Sequence, residues 1–250
     1  MITDIQKASI LKRIAAGIFD AILFITLAVG FVWMMNAIVD FDHHYDTYQS
    51  GLNKYEEQYG VDFDADYQAL SEDQKASFDE AVKVVNADQK MVKNLSILMN
   101  LTLISVTFGI FLAMFVLEFI IPLFLKNGQT LGKKIFGIGL VRVDGVQLTT
   151  LQLFVRAVLG KFTLETMIPV YIIIMLFFGV MGFIGILVLG AILLLQLILL
   201  IVTRTNSLIH DSLAGTVAVD ISSQMIFRTT DDLIAYKKKI HAEQAARSNY

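Results

Sequence analysis

Long apolar runs alternate with polar stretches along the chain and mark out four helical spans. The first covers residues 14–38 and the second 97–125, and a third run extends from about 162 to 203. A helix rises 1.5 Å per residue, so about 20 apolar residues cross the ~30 Å hydrocarbon region of a bilayer. The third run is too long for one crossing, and glycines gather at its middle. It is therefore split near Gly179–Gly185 into spans at 162–180 and 184–203, joined by the short turn expected of antiparallel neighbours. The pattern predicts an all-α membrane protein built as a four-transmembrane-helix bundle.

The stretches between the spans carry their own patterns. In residues 39–96, Ser71-Glu72-Asp73-Gln74 has capping-box spacing, in which serine and glutamine side chains satisfy exposed backbone N–H groups. Phe78, Ala81, Val82 and Val85 then recur at helical intervals. No glycine or proline intervenes between Ser71 and Phe108, so this helix is expected to run unbroken into the second span. The first half of the segment sets Tyr45, Tyr48, Tyr55, Tyr59 and Tyr67 among acids, as a solvated loop or as a small cap that binds a partner. In residues 126–161, alternation across Val141–Leu148 around Asp144-Gly145 predicts a short β-hairpin with a two-residue turn. Leu151–Gly160 is amphipathic and is expected to lie along the membrane interface before the third span. Pro122 and Pro169 fall inside spans and should kink them, freeing backbone carbonyls.

Composition supports the membrane reading and adds an orientation. Hydrophobic residues make up 56% of the chain and charged residues only 17%, against about 25% charged in soluble domains. The net charge of −3 conceals an asymmetry. Residues 39–96 hold thirteen acids, from Asp40 to Asp88, against five lysines. Residues 126–162 hold Lys126, Lys133, Lys134, Arg142, Arg156 and Lys161 against Asp144 alone, and the amino end holds Lys7, Lys12 and Arg13. Basic loops stay inside. This places both termini and 126–162 in the cytoplasm and makes 39–96 an extracytoplasmic acidic helical insert. The chain then divides into an amino end with the first span (1–38), the insert (39–96), the second span (97–125), a cytoplasmic loop (126–161), the paired third and fourth spans (162–203) and a cytoplasmic tail (204–250). The first apolar run exceeds a signal-peptide core and has no small-x-small site after it, so it reads as a retained anchor. Ile2 stands where myristoylation needs glycine. Without cysteine there are no disulfides or thiolate metal sites.

Against this topology, ionisable groups inside the spans become the candidate chemistry. A charge deep in a span costs at least ~2.5–3.5 kcal/mol on insertion scales, so each needs a partner, a proton, an ion or water. Counted from the cytoplasmic boundary, Asp20 lies ~9 Å deep, Glu118 ~10 Å and Gln196 ~10 Å at 1.5 Å per residue. Glu165 enters slightly shallower, and Arg13, Arg156 and Lys161 rim the cytoplasmic side. Carboxylate and amide oxygens at one depth suit a hard cation, and crowded carboxylates share protons. The same groups also serve as hydrogen bonds that fix helix register. Arg13 and Asp20 share a face but stand ~10.5 Å apart along the axis. The charge pair that ties helices is therefore expected between Arg13 and Asp211, with His210 beside it as a relay or cap. Lys133 and Lys134 are expected to face anionic headgroups, with Arg156 and Lys161 as further membrane-surface basic residues.

Three pieces of sequence resemble the RDD family of bacterial membrane proteins. They are Arg13-x-x-Ala16-x-x-x-Asp20, Gly128-Gln-Thr-Leu-Gly132-Lys-Lys-Ile-Phe-Gly137 with its valine-rich strand and Asp-Gly, and His210-Asp211-Ser-Leu-Ala-Gly-Thr216. The resemblance covers 10–38 and 100–220, makes Asp211 the second aspartate, and leaves out the acidic insert and the tail. It implies a plasma-membrane protein for which cation/proton exchange is one proposed role.

Other chemistry is thin. Gly128–Lys134 has three residues between its glycines instead of four, and Ile135 follows its lysines, so it is not a phosphate-binding loop. His43-His44 beside Asp40, Asp42 and Asp46 are expected to be solvated and not to bind metal. No nucleophile–base set, nucleotide loop or catalytic metal signature occurs, so neither enzymatic activity nor a cofactor is expected. The expectation is an ion/proton site at Asp20, Glu118, Gln196 and Glu165 in a cation/proton exchanger or ion-pathway subunit. The alternative is a non-transporting scaffold whose insert binds envelope or secreted partners. Expected partners are the lipid bilayer, a monovalent cation and proton, and a second copy or another membrane protein, with no nucleic acid.

Overall fold

A computed structural model describes residues 5–177 and 179–248; Met1 and Ile2, which bear on acylation, lie outside the described residues, as does Phe178 of the third span. The chain runs through α1 (Ile10–Ile38), α2 (Phe41–Tyr59), α3 (Glu72–Ala87), α4 (Gln89–Phe124) and α5 (Leu131–Ile135). It continues through β1 (Ile138–Arg142), α6 (Thr150–Phe177), α7 (Gly182–Val202), α8 (Ile209–Ala214), β2 (Thr216–Asp220) and α9 (Thr230–Ser248). Four of these, α1, α4, α6 and α7, are long and apolar enough to cross a membrane. Their outward residues, among them Ile22, Trp33, Phe183 and Ile201, are exposed apolar side chains, as a lipid-facing surface requires. The break between α6 and α7 falls at Gly179–Gly182, where both glycines take positive φ.

The described chain forms two compact units, residues 28–110 and the remainder. In the first, Phe78 of α3 packs edge-on against Phe63 (5.6 Å between ring centres) and Tyr67 (5.5 Å). Ser71 and Gln74 form the full capping box that starts α3. The helix does not run on into the second span. It stops at Asp88, whose backbone is extended (φ −75°, ψ 106°). The aspartate carboxylate accepts from the Lys90 N–H at 2.8 Å and from the Tyr55 hydroxyl at 2.7 Å. An aspartate that can cap a new helix competes with continuing the old one, and no glycine or proline is needed.

The second unit is organised around an antiparallel ladder in which Ile138 faces Asp220 and Arg142 faces Thr216. Residues just before α1 add to it, with Lys7 bridging Val219 and Ala8 N–H donating to the Ala218 carbonyl. Ile138, Leu140 and Ala218 pack against Ala8 and Ala16, while Val141, Val217 and Val219 fill the opposite face. The expected hairpin survives only as a turn. Arg142 N–H donates to Val146 O at 2.8 Å around Asp144-Gly145, with a single bridge from Val141 to Gln147. The valine-rich strand takes its main partner from beyond the fourth span, because Thr216–Asp220 offers a longer buried apolar match. Leu151–Gly160 is likewise no separate interfacial helix. It is the first part of α6, with Arg156, Ala157 and Gly160 buried.

Candidate functional site

Wide helical turns set the charged side chains of α4 and α6. Over Val116–Ile120 and Val155–Met167 the backbone is π-helical. Ile121 N–H reaches back to Val116 O and Ile168 N–H to Thr163 O, in each case five residues. Each segment ends just before a proline, Pro122 or Pro169. A proline supplies no N–H to the carbonyl four residues back, so the preceding turn relaxes into the wider form. Glu118, Arg156, Lys161 and Glu165 all sit on these turns.

Arg156 is the hub of the resulting network. Only 2% exposed, it donates from Nε to Asp211 Oδ1 at 3.0 Å and from Nη1 to Glu118 Oε2 at 3.3 Å. Asp211 also receives Arg13 at 3.2 Å and the Thr216 hydroxyl at 3.1 Å. Arg13 in turn donates to the Asn206 carbonyl at 2.5 Å. Glu118 is held by Lys161 at its other oxygen and by Lys133 at 3.7 Å. Burial alone would raise the Asp211 carboxyl, but His210, Arg156 and Arg13 outweigh it and hold the group well below the usual carboxylate range.

Asp20 stands apart from this network. Its Oδ2 accepts from the Thr130 hydroxyl at 2.5 Å and its Oδ1 from the Gly132 N–H at 2.8 Å. Among the described residues it has no ion-pair partner. Thr130 caps α5, accepting from the Lys133 N–H at 3.3 Å, and the first turn of that helix is thereby pressed against α1. A Cβ on Gly132 would collide with the Ala16 carbonyl and come within 2.9 Å of the Asp20 carboxyl, so only glycine lets the backbone close on the aspartate. Gly160 does the same for α6 against α8, since its Cβ would lie 2.6 Å from His210 Cβ.

A cavity of about 320 Å³ opens among these groups, lined by Asp20, Glu118, Asp211, Arg13, Lys133, Arg156, Lys161 and His210, with Ile138 and Ala218 of the sheet on one wall. Burial pushes the Lys133 ammonium down to about 7 against the attraction of Glu118, with Lys161 and Arg156 adding to the depression. Burial also lowers the His210 imidazole, against the pull of Asp211. A neutral His210 then donates through Nδ1 to Glu165, 2.7 Å away, and its backbone N–H also reaches that carboxylate at 2.9 Å.

The structure regroups the residues singled out from sequence. Asp20 and Glu118 line one cavity but are linked only indirectly, through Thr130 on Asp20 and Lys133 on Glu118. Gln196 is not part of that cavity wall. It accepts from the Ile209 N–H at 3.3 Å and stands beside Glu165, in a separate cluster with His210. Arg156 is a buried ion-pair partner, and Lys133 and Lys161 are partly buried against Glu118 and do not face headgroups; of the four only Lys134 stays exposed. Arg13 meets Asp211, not Asp20. Thr130 and Gly132 were missed as site residues. Their signal was the Thr-x-x-Lys cap spacing inside the glycine-rich loop. His43 and His44 lie edge-to-face on each other, and among the described residues no group of three or more metal-ligating side chains is placed to hold an ion.

Such a fold and cavity define a polytopic helical membrane protein with a buried charge network. The sequence model of the RDD family matches residues 7–215, and the chain belongs to that family. No curated protein and no solved structure matches it at a significant level.

Proposed function

We propose that this RDD-family protein exchanges a monovalent cation for protons across the bacterial plasma membrane, with Asp20 as the group that carries either. The observation behind this reading is the isolation of Asp20. It lines the cavity and is oriented by a hydroxyl and a backbone N–H, while no cation among the described residues forms an ion pair with it. A carboxylate at that depth in lipid must find a positive charge, and a proton or a hard monovalent cation supplies it. The Thr130 hydroxyl can rotate to offer a lone pair in place of its proton. The positive-inside rule sets both termini and the α5–β1 region in the cytoplasm and residues 39–96 outside. Four spans are few for a complete pathway, so the working form is a homo-oligomer or a complex with another membrane protein.

A second reading rests on a different observation. Glu118 and Asp211 are each met by at least two cations, as in a network built only to hold helices together. In that case the protein is a scaffold whose acidic outer segment binds envelope or secreted partners. Purified protein in liposomes with an internal pH dye, challenged with Na⁺, K⁺ or Li⁺ gradients, separates the two. Exchange gives cation-driven proton flux that Asp20→Asn abolishes while the variant keeps its helical content and elution volume. Absence of flux from the wild type under every gradient rejects exchange and leaves the scaffold.

A further inference from the structure

We infer that Lys133 is a tethered competitor for the cation at Asp20, an ammonium that the incoming ion must displace; this rests on the exchange reading above. Glu118 has more positive charge around it than it needs. Arg156 and Lys161 both bond it directly, whereas Lys133 stands farther off at 3.7 Å. Lys133 is therefore the surplus cation of the group, repelled by its two basic neighbours and the least firmly held.

Its second contact points to where that surplus is useful. Lys133 Nζ lies 3.3 Å from Thr130 Oγ1, and that same hydroxyl donates to Asp20 at 2.5 Å. One hydroxyl thus separates the surplus cation from the unneutralised carboxylate. The lysine stem is fixed by the first turn of α5, whose Gly132 N–H holds the other Asp20 oxygen. The ammonium head can swing between two anions while its backbone stays in place. With no ion present it leans toward Asp20 across Thr130; with a cation at Asp20 it withdraws to Glu118. Only a monovalent ion matches the single charge it replaces. Lys134, its neighbour on the same helix, is exposed and does not line the cavity.

The test is the cation concentration giving half-maximal flux in proteoliposomes for wild type, Lys133→Gln, Lys133→Arg and Lys134→Gln. Assayed below pH 7, where Lys133 keeps its proton, removing its charge a few ångströms from the ion should lower that concentration for Lys133→Gln by about tenfold or more. Lys133→Arg keeps the charge and should show no gain, and Lys134→Gln should match the wild type. If Lys133→Gln does not elute as a folded species, the double variant Glu118→Gln/Lys133→Gln, which removes one charge of each sign, is read in the same way. An unchanged or raised half-maximal concentration in the Gln variant, with wild-type flux intact, overturns the role of Lys133 and leaves exchange standing. A gain in Lys133→Arg equal to that in Lys133→Gln also overturns it. Absence of wild-type flux removes the exchange reading itself.

Discussion

Residues 28–110 and the unit that encloses the cavity use carboxylates in opposite ways. The first carries thirteen of the chain's 23 acids, and those with defined partners take mostly neutral ones, apart from Glu72, which meets Lys75 at 3.0 Å on the surface of α3. Asp88 and Asp79 each accept a tyrosine hydroxyl, and Asp62 and Asp66 accept backbone N–H groups two residues on. The second unit has fewer acids, yet Glu118 and Asp211 are buried and bound by cations from distant parts of the chain. Water solvates the first set at little cost, so their number says nothing about folding. A buried carboxylate must bring its counter-charge with it, and that requirement draws α1, α4, α5, α6 and α8 together. Within the second unit the contrast recurs at close range, where Glu118 pairs with three cations and Asp20, among the described residues, with none.

The largest effect should come from removing the hub. Arg156→Met leaves Glu118 and Asp211 buried with one cation fewer each, and breaking a buried pair in this way costs about 3–5 kcal/mol. The variant should be lost from the monodisperse peak on size exclusion or melt far below the wild type in detergent. Neutralising an exposed acid, as in Asp73→Asn, should leave the melt where it was. Equal melting of Arg156→Met and wild type would mean that the network does not hold the helices, and the contrast between the two units would fail.

Lys133 allows a subtler test through pH. Its ammonium is held at about 7 in the fold, against an ordinary value of 10.5. Between those values the unfolded chain binds a proton that the folded protein has released, so this group makes stability rise with pH, by at most about 1.4 kcal/mol per unit. The difference between the wild type and Lys133→Met should therefore change steadily from pH 7 to 9, below the range where the tyrosines titrate. A parallel pair of profiles would place Lys133 in solvent-like surroundings and return it to the membrane surface.

Much of this was legible in the residues, and the failures share a cause. Apolar run length marked out four spans, glycine content placed a break near Gly179–Gly185 that the structure narrows to Gly179–Gly182, and three short motifs pointed to the family. Counting levels along spans also paired Arg13 with Asp211 instead of Asp20. Depth, however, is a one-dimensional measure. It put Asp20, Glu118 and Gln196 at one level without saying which way each faces, and the π-turns before Pro122 and Pro169 rotate the side chains of α4 and α6 in a way that 3.6-residue counting does not reproduce. Lys133 and Arg156 were assigned to headgroups because basic residues at span ends usually go there. Their partners lie on other helices, Glu118 across the turn from Lys133 and Asp211 beyond the fourth span from Arg156, and the β1–β2 ladder is hidden in the same way.

The smallest effect belongs to the acidic unit and tests whether the two units are separable. Ser71 Oγ accepts from the Gln74 N–H at 3.3 Å and the Gln74 side chain returns a bond to the Ser71 N–H at 3.0 Å. Ser71→Ala removes the first of these and weakens the start of α3 by about 1 kcal/mol. Because α3 ends at Asp88 and does not continue into α4, the loss should stay within it. Hydrogen exchange should quicken over Glu72–Ala87 and remain unchanged at Glu118, Arg156 and Asp211. A uniform quickening through α4 and α6 would show that the chain opens as one cooperative body. Solvated and buried carboxylates would then be stabilising a single unit, and the acidic segment would have to be counted as part of the cavity's support.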